Sequence, residues 1–270
     1  LQNDVYIIGI DKAIVTTNFA VENNFVDYAS NLIDENIKKA DIVFLCTPVL
    51  QIVPMVEKIL PYLKPDAILT DVGSTKGFIW SKLKQILPHD IDYVAGHPMT
   101  GSEQSGIKAA NAELFRNKGY ILIPQTAKKE KSVNLVNELL KVTGANITTM
   151  GIEEHDAVAA VISHVPHVVA AGLVNILGSA ETDVDNKLKL AGGGFKDTTR
   201  IASSNSDMWA DICISNADNI IIELEKLQTE ITGVITDIKN NDRDNIYNYF
   251  YKAKCRRDKL IDAANRILKK

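Results

Sequence analysis

The chain has 270 residues, of which 46% are hydrophobic, and its formal net charge is −4. This size and composition are typical of one or two globular domains with a sizeable core. The acidic balance argues against the broad basic field that nucleic acids or membrane surfaces require, so we expect neither as a partner. Three cysteines without metal-ligand spacing indicate reduced thiols in a cytoplasmic protein. We expect no signal peptide and no apolar run long enough to span a bilayer.

Short apolar runs alternate with helical stretches in the first half of the chain. This alternation predicts a Rossmann-type parallel sheet with helices on both faces. Near-continuous hydrophobicity within the runs agrees with strands that are buried on both sides. The predicted strands are residues 5–10, 42–46, 67–72, 93–95 and 120–123, and the predicted helices are 52–63, 76–87 and 129–140.

The strand pattern stops after about Met150. Residues 153–177 are apolar nearly all round, which predicts a helix buried on every face. From Ala217 onward apolar residues recur three and four apart, which predicts a coiled-coil-like seam that needs other helices or a second subunit. We therefore predict a nucleotide-binding domain at residues 1–150 and an all-α substrate and dimerisation domain at residues 151–270.

An acid, Asp11, ends the first predicted strand. An acid at the end of the second strand of a dinucleotide-binding fold accepts the adenosine ribose hydroxyls, which would favour NAD over NADP; an ordinary turn is the alternative. Thr47, Pro48 and Val49 close the next long strand and would line the cofactor cleft. Because no G-x-G-x-x-G follows a strand, we expect the first strand and the phosphate-binding loop, about 20–30 residues, to precede Leu1.

Polar residues follow two further strands. His97 lies in GHPMTGSE and Ser74 in DVGS, each at the carboxyl end of a predicted parallel strand, where open α/β sheets bind ligands. A histidine with a serine on the neighbouring strand end suits proton transfer from a substrate hydroxyl. The alternatives are a surface histidine in a glycine turn and, for Ser74, an N-cap of the helix over residues 75–87.

Four motifs in order resemble the prephenate dehydrogenase family. They are DVGSTKG at 71–77, GHPMTGSEQSG at 96–106, SHVPH at 163–167 and GGGFKDTTRIA at 192–202, with Met208-Trp209 following. The resemblance runs from Val5 to about Trp209, with a looser helical remainder. It implies a Rossmann-like domain followed by a helical dimerisation domain, in a cytoplasmic homodimer that uses NAD.

The resemblance also implies the reaction, which is the NAD-dependent oxidative decarboxylation of prephenate to 4-hydroxyphenylpyruvate, CO2 and NADH in tyrosine biosynthesis. In this reaction His97 accepts the proton of the ring hydroxyl, and Ser74 hydrogen-bonds the same hydroxyl and holds the histidine. Arg200 matches the arginine that binds a substrate carboxylate, and a guanidinium suits a dianionic substrate on physical grounds as well. His167 matches a histidine that contacts substrate.

Three residues complete the predicted pocket. Lys196, beside the glycines at 192–194, would approach the ligand, since glycine lets backbone come close. Glu103 resembles an acid that orders the pocket entrance, with a solvated loop carboxylate as the alternative. Trp209 would cover the pocket or pack in the core.

His164 lies three residues before His167, so the two share a helix face. We interpret His164 as a core histidine, and Pro166 between them should kink or tighten the helix. No third ligand lies near this pair, so we predict no metal site. His155 and Asp156 are interpreted as structural residues.

Three other functions stay open. An arogenate dehydrogenase would act on a substrate with an amino acid side chain in place of the keto acid. A β-hydroxy acid dehydrogenase would use a lysine base, for which Lys196 is the candidate. A non-enzymatic helical dimer or sensing module would bind no cofactor.

Overall fold

The structure, a computed structural model, describes residues 5–101, 106–178 and 190–268, and side chains up to residue 262. The chain forms two compact units, Leu1–Ile220 and Ile221–Lys270. The first unit holds the strands and also the helices that follow residue 150. Helices from both of the predicted domains therefore take part in one packed body.

The strands form two sheets. The parallel pair of β1 and β2 stands apart from a five-stranded sheet in the order β3-β4-β5-β6-β7. In the larger sheet β3, β4 and β5 run parallel to one another, and β6 and β7 run parallel to each other. The two groups are antiparallel where β5 pairs with β6. The Rossmann-type prediction is confirmed, but the sheet is mixed rather than wholly parallel. The strands are β1 (Ile8–Ile10), β2 (Tyr28–Ser30), β3 (Ile42–Leu45), β4 (Ile68–Asp71), β5 (Asp92–Pro98), β6 (Gly119–Ile123) and β7 (Asn146–Thr149).

Four helices connect the strands: α1 (Ile14–Glu22), α2 (Val49–Ile59), α3 (Gly77–Ile86) and α4 (Glu130–Lys141). Helix α4 buries Ser132, Val136 and Leu140, one residue per turn, so a single face packs on the sheet. Side chains of β4, β5 and β6 meet that face in an apolar core cluster. The core therefore lies below the carboxyl ends of β4 and β5, where the polar motifs are.

The second half is helical, as predicted. Within residues 150–178 and 190–268 its elements are α5 (Ile152–Ala159), a π-helical turn (Ala160–His164), α6 (Val165–Gly178), α7 (Gly193–Thr199), a 3₁₀ turn (Arg200–Ser203), α8 (Ser206–Ser215), α9 (Ala217–Lys239) and α10 (Arg243–Leu268).

The long helix predicted over residues 153–177 is interrupted by the π turn. Pro166 has no N–H to bond the carbonyl of Ile162, and the helix widens just before the proline. The expectation of burial on every face is wrong within this chain. Ala160 is fully buried, whereas Ile162 is 60% exposed and Ile176 is 68% exposed.

The same segment overturns the expectation that no apolar run could span a membrane. By length and composition alone, Ile152–Leu177 qualifies, which is weak grounds for a span because core helices have the same composition. Its buried polar side chains contact the sheet-bearing part of the chain: His155 meets His97 of β5, and Asp156 meets the start of α3. These contacts favour a helix of a protein core.

In the second unit, α9 presents an apolar stripe. Ile221, Ile231, Ile235 and Ile238 are all about half exposed. Ile231 and Ile238 belong to the predicted seam, whereas Ile220, its first residue, is buried.

Gly96 is tightly enclosed where β5 passes β4. A Cβ at this position would lie 2.9 Å from the carbonyl oxygen of Asp71 and 3.0 Å from the ring of Tyr120. We expect Gly96→Ala to lower the free energy of unfolding by about 1–3 kcal/mol because backbone must shift to make room. Urea denaturation measures this.

Gly172→Ala is the matched control. Apart from its chain neighbours and the backbone of its own helix, no heavy atom in the described part of the chain lies within 4 Å of a Cβ at Gly172, which is in α6. Alanine favours helix over glycine, so the unfolding free energy should stay equal or rise. If both variants keep the stability of the parent protein, the close packing around Gly96 is contradicted.

Candidate active site

The loop after β4 is organised by the carboxylate of Asp71, which is fully buried. Its Oδ2 accepts hydrogen bonds from the Gly73 backbone N–H at 2.9 Å and from the Lys76 Nζ at 2.5 Å. Its Oδ1 accepts from the Tyr93 hydroxyl at 2.7 Å and from the Gly96 N–H at 3.2 Å. Four donors therefore satisfy this buried charge and join the ends of β4 and β5.

Lys76 is also fully buried, and its ammonium donates a second hydrogen bond to the carbonyl of Gly96 at 2.6 Å. Burial lowers the pKa of Lys76, while the charge of Asp71 opposes that shift. The ion pair fixes the backbone immediately before His97.

His97 is buried near the carboxyl end of β5. Its Nδ1 lies 2.8 Å from the Nε2 of His155, which leaves its own Nε2 as the ring nitrogen that can meet a ligand. Burial, followed by the nearby charges of Lys76, His155 and His164, holds the pKa of His97 well below its usual value of 6.5. The imidazole is therefore neutral near pH 7 and can act as a base. The alternative of a surface histidine is wrong.

His155 is held in turn by Asp156. The Nδ1 of His155 lies 2.8 Å from the Asp156 Oδ1, and the same carboxylate accepts the backbone N–H groups of Lys76 and Gly77, each at 2.8 Å. Burial opposes ionisation of Asp156, but the hydrogen bonds from His155 and from the two backbone groups outweigh it and lower the pKa. The result is a chain of contacts from a carboxylate to His97.

The sequence does not reveal this link, because on sequence alone His155 and Asp156 are interpreted as structural residues. The two residues lie 58 and 59 positions after His97, on α5. The available signal was an adjacent His-Asp pair at the start of a helix that follows the last strand. Spacing alone does not show which strand end such a pair meets.

Ser74 lies in the same loop, half-buried, but it does not cap a helix. Helix α3 begins at Gly77 with Lys76 at the N-cap, and Asp156 supplies the capping oxygens from α5. The N-cap alternative for Ser74 is therefore wrong. The next residue, Thr75, donates its hydroxyl to the Ser215 Oγ at 3.0 Å and anchors the loop to α8.

A second group of rings surrounds Trp209. Its indole stacks on His167 with a centroid distance of 3.8 Å and meets His164 edge-on at 6.1 Å. His167 donates its Nδ1–H to the Ser163 carbonyl at 2.8 Å. After burial, the charge of Arg200 contributes to the lowered pKa of His167, so the guanidinium lies in electrostatic reach. The structure thus brings together His167, Arg200 and Trp209.

Two nitrogen atoms in this group are buried without a hydrogen-bond partner. They are the Nε2 of His164 and the Nε1 of Trp209. The Nδ1 of His164 lies 3.2 Å from the Asn216 Nδ2. The side chain is fully buried, as expected of a core histidine, but the expectation that its polar atoms are all satisfied is wrong. Because unpaired buried polar groups are costly, these atoms are suited to a polar ligand.

Lys196 and Glu103 are the two other residues predicted for the substrate pocket. Lys196 is exposed on α7, and Glu103 falls outside the described residues. Among the residues that the structure describes, no group of three or more His, Cys, Asp or Glu could hold a metal ion.

The residues expected at a cofactor lie at the ends of β1 and β3. Asp11 is exposed, and its Oδ1 accepts the Ala13 N–H at 2.8 Å. The hydroxyl oxygen of Thr47 is buried with no partner, Pro48 is the N-cap of α2, and Val49 is buried. The unpaired hydroxyl and the open carboxylate fit a polar ligand at these strand ends.

Comparison with known proteins gives one consistent family. Residues 2–149 match "prephenate dehydrogenase, nucleotide-binding domain" and residues 152–252 match "prephenate dehydrogenase, dimerization domain". The prephenate dehydrogenase of Bacillus subtilis is 38% identical over 94% of this chain and 69% of its own length.

Two solved structures are similar over almost the whole chain. Prephenate dehydrogenase from Aquifex aeolicus, solved with hydroxyphenyl propionate and NAD+, has a TM-score of 0.88 and 31% identity over 96% of this chain and 90% of its own. Synechocystis arogenate dehydrogenase has a TM-score of 0.80 and 29% identity, with coverages of 96% and 92%.

We expect stability to fall as the pH drops from about 6.5 towards about 4. In the folded protein His97 resists protonation and burial lowers the pKa of His164 to about 4, whereas unfolded histidines bind protons near pH 6.5. Below about pH 6.5 the unfolded state therefore binds more protons than the folded state. The unfolding free energy has its full value above about pH 6.5 and declines as the pH falls below it. The lowered pKa of Asp156 affects the unfolding free energy only below this window, as the pH falls below about 3.8.

Urea unfolding at a series of pH values measures this decline. His164→Asn removes one of the buried imidazoles whose pKa is lowered and should make the slope between about pH 6.5 and 4 shallower. A free energy of unfolding that stays constant across the window would contradict the burial of neutral histidines.

Proposed function

Because the chain belongs to the prephenate dehydrogenase family, we propose that this oxidoreductase converts prephenate and NAD to 4-hydroxyphenylpyruvate, CO2 and NADH. The observation that supports this most is the neutral, buried His97, whose Nδ1 is bound by His155. A base with this orientation suits removal of a proton from a substrate hydroxyl.

In the proposed reaction the Nε2 of His97 accepts the proton of the ring hydroxyl while the hydrogen on the same carbon leaves as hydride. Bound NAD supplies the hydride acceptor. The ring carboxylate departs as CO2, and the electron pair of the broken carbon–carbon bond completes the aromatic ring. Ser74 would hydrogen-bond the same hydroxyl, and its half-buried position in the loop beside Lys76 is compatible with that role.

The side chain of the substrate carries a second carboxylate, for which Arg200 is the proposed partner. A guanidinium grips a carboxylate with two hydrogen bonds. Arg200 acts electrostatically on His167, which itself stacks on Trp209, so the three can share one ligand. Lys196 and Glu103 remain proposed members of the pocket.

The cofactor is proposed to lie along the ends of β1 and β3. Asp11 would bind the adenosine ribose hydroxyls, and Thr47, Pro48 and Val49 would contact the part of NAD that crosses the sheet. The unpaired hydroxyl of Thr47 supports this assignment.

Arogenate is the second candidate substrate, since one solved relative is named arogenate dehydrogenase. It differs from prephenate by an ammonium group in place of the side-chain keto oxygen. A β-hydroxy acid reaction with Lys196 as base is less well supported, because Lys196 is exposed whereas His97 is buried and oriented.

A cytoplasmic homodimer is also proposed. The dimerization-domain match over residues 152–252 and the exposed isoleucines of α9 both favour a helical interface between two copies.

His97→Asn tests the reaction directly. We expect kcat to fall by about 10²–10⁴-fold, with KM for prephenate changed little, because an amide cannot accept the proton. Steady-state rates with prephenate and with arogenate measure the loss and identify the preferred substrate. The exposed His89→Asn is the matched control and should retain full activity; a normal kcat for His97→Asn would refute the assignment.

Asp11→Ala tests the cofactor assignment. Loss of the carboxylate should weaken NAD binding more than NADP binding, because it removes both the ribose contact and the repulsion of a 2′-phosphate. Fluorescence titration with each dinucleotide measures the change.

Asp27→Ala is the control for that experiment. Asp27 is an exposed acid at the opposite end of the β1–β2 pair, and it too accepts a backbone N–H, from Ile7 at 2.7 Å. Equal losses for NAD and NADP in Asp11→Ala, or the same change in both variants, would exclude Asp11 as the ribose ligand.

A further inference from the structure

We propose that His155 and Asp156 are positioning residues that fix the tautomer of His97, so that its Nε2 carries the lone pair facing the substrate. This inference rests on the proposed function and deepens it. It assigns to two residues of α5 a role in preparing the catalytic base.

The tautomer follows from the order of donors and acceptors. An ionised carboxylate only accepts hydrogen bonds, so the Nδ1 of His155 must donate to Asp156 across their 2.8 Å contact. In a neutral His155 the Nε2 is then the acceptor, and the Nδ1 of His97 must donate to it, also at 2.8 Å. The proton of neutral His97 therefore lies on Nδ1, and Nε2 is free of hydrogen.

Asp156 is well suited to set the direction of the two hydrogen bonds, because its own position and charge are fixed. The backbone N–H groups of Lys76 and Gly77 bind its two oxygens at the start of α3. A helix N-terminus also favours negative charge. The carboxylate therefore stays ionised and cannot rotate away from His155.

The same chain of contacts also links the protonated form of His97 to a carboxylate. Burial comes first, and then Lys76, His155 and His164 disfavour the protonated form of His97, although the Lys76 ammonium is paired with Asp71. When the Nε2 of His97 takes the substrate proton, the positive charge is shared through His155 with Asp156. No further proton needs to leave the site during the step.

A purely structural role for Asp156 is the competing explanation, and the fold contains a matched case. Asp92 is buried at the start of β5, and its carboxylate accepts the backbone N–H groups of Tyr93, Lys128 and Lys129 at 2.9, 2.7 and 3.1 Å. Asp92 thus performs the same backbone task, just before α4, without contacting a histidine.

The experiment combines two pairs of variants. His155→Phe keeps the ring shape but removes the acceptor, whereas His155→Gln keeps an acceptor oxygen and loses the ring. Asp156→Asn and Asp92→Asn each replace a buried carboxylate that binds backbone N–H groups. Nitrogen-15 NMR of His97 reports its tautomer without any cofactor, and steady-state kinetics report kcat and KM.

We expect His97 to carry its proton on Nδ1 in the parent protein and to change largely to Nε2–H in His155→Phe. That variant should lose about 10–100-fold in kcat with KM altered little, and His155→Gln should recover part of the loss. Asp156→Asn should lower kcat more than Asp92→Asn, even where both lower the unfolding free energy alike. A structural role alone predicts the reverse order for Phe and Gln.

The proposal is overturned if folded His155→Phe keeps the parent tautomer and the parent kcat. If Asp156→Asn does not fold, the two His155 variants carry the test. Failure of the proposed function is distinguishable, since it would appear as no turnover of prephenate or arogenate by the parent protein, or as a normal kcat in His97→Asn, whatever tautomer is found.

Discussion

The site depends on one buried ion pair, Asp71 with Lys76. Both charged groups are fully buried, which costs free energy unless the protein replaces their hydrogen bonds to water. Here the surrounding backbone and side chains supply those hydrogen bonds. Tyr93, Gly96 and the loop backbone complete the hydrogen bonds, so the ends of β4 and β5 and the start of α3 are held as one piece. His97 follows directly from that piece, and its position is a consequence of the pair.

A second buried carboxylate, that of Asp156 on α5, links this part of the sheet to the helices that follow residue 150. Asp156 binds the first backbone N–H groups of α3 and, through His155, the imidazole of His97. The residue that caps the helix is therefore also the residue proposed to orient His97. The same carboxylate binds the start of α3 and holds His155, which contacts His97.

Much of the fold could be predicted from the sequence, because strands buried on both faces leave continuous apolar runs. Strands β2 and β7 were missed since YAS and NITT are short and largely polar. The sequence motifs predict His97, Arg200 and His167 as site residues. In the structure His167 stacks on Trp209. The contact of His155 with β5 could not be predicted, because it depends on how two distant elements pack.

The π turn at Ala160–His164 sets the angular relation between the two groups of site residues. At about 100° per residue, nine positions of regular helix would turn His155 and His164 to opposite sides. The wide turn absorbs one residue, which reduces the separation to about 80°. One segment can therefore face both His97 and the indole of Trp209. Removing a single residue from the π turn would turn His155 and His164 away from each other and separate these two groups of side chains.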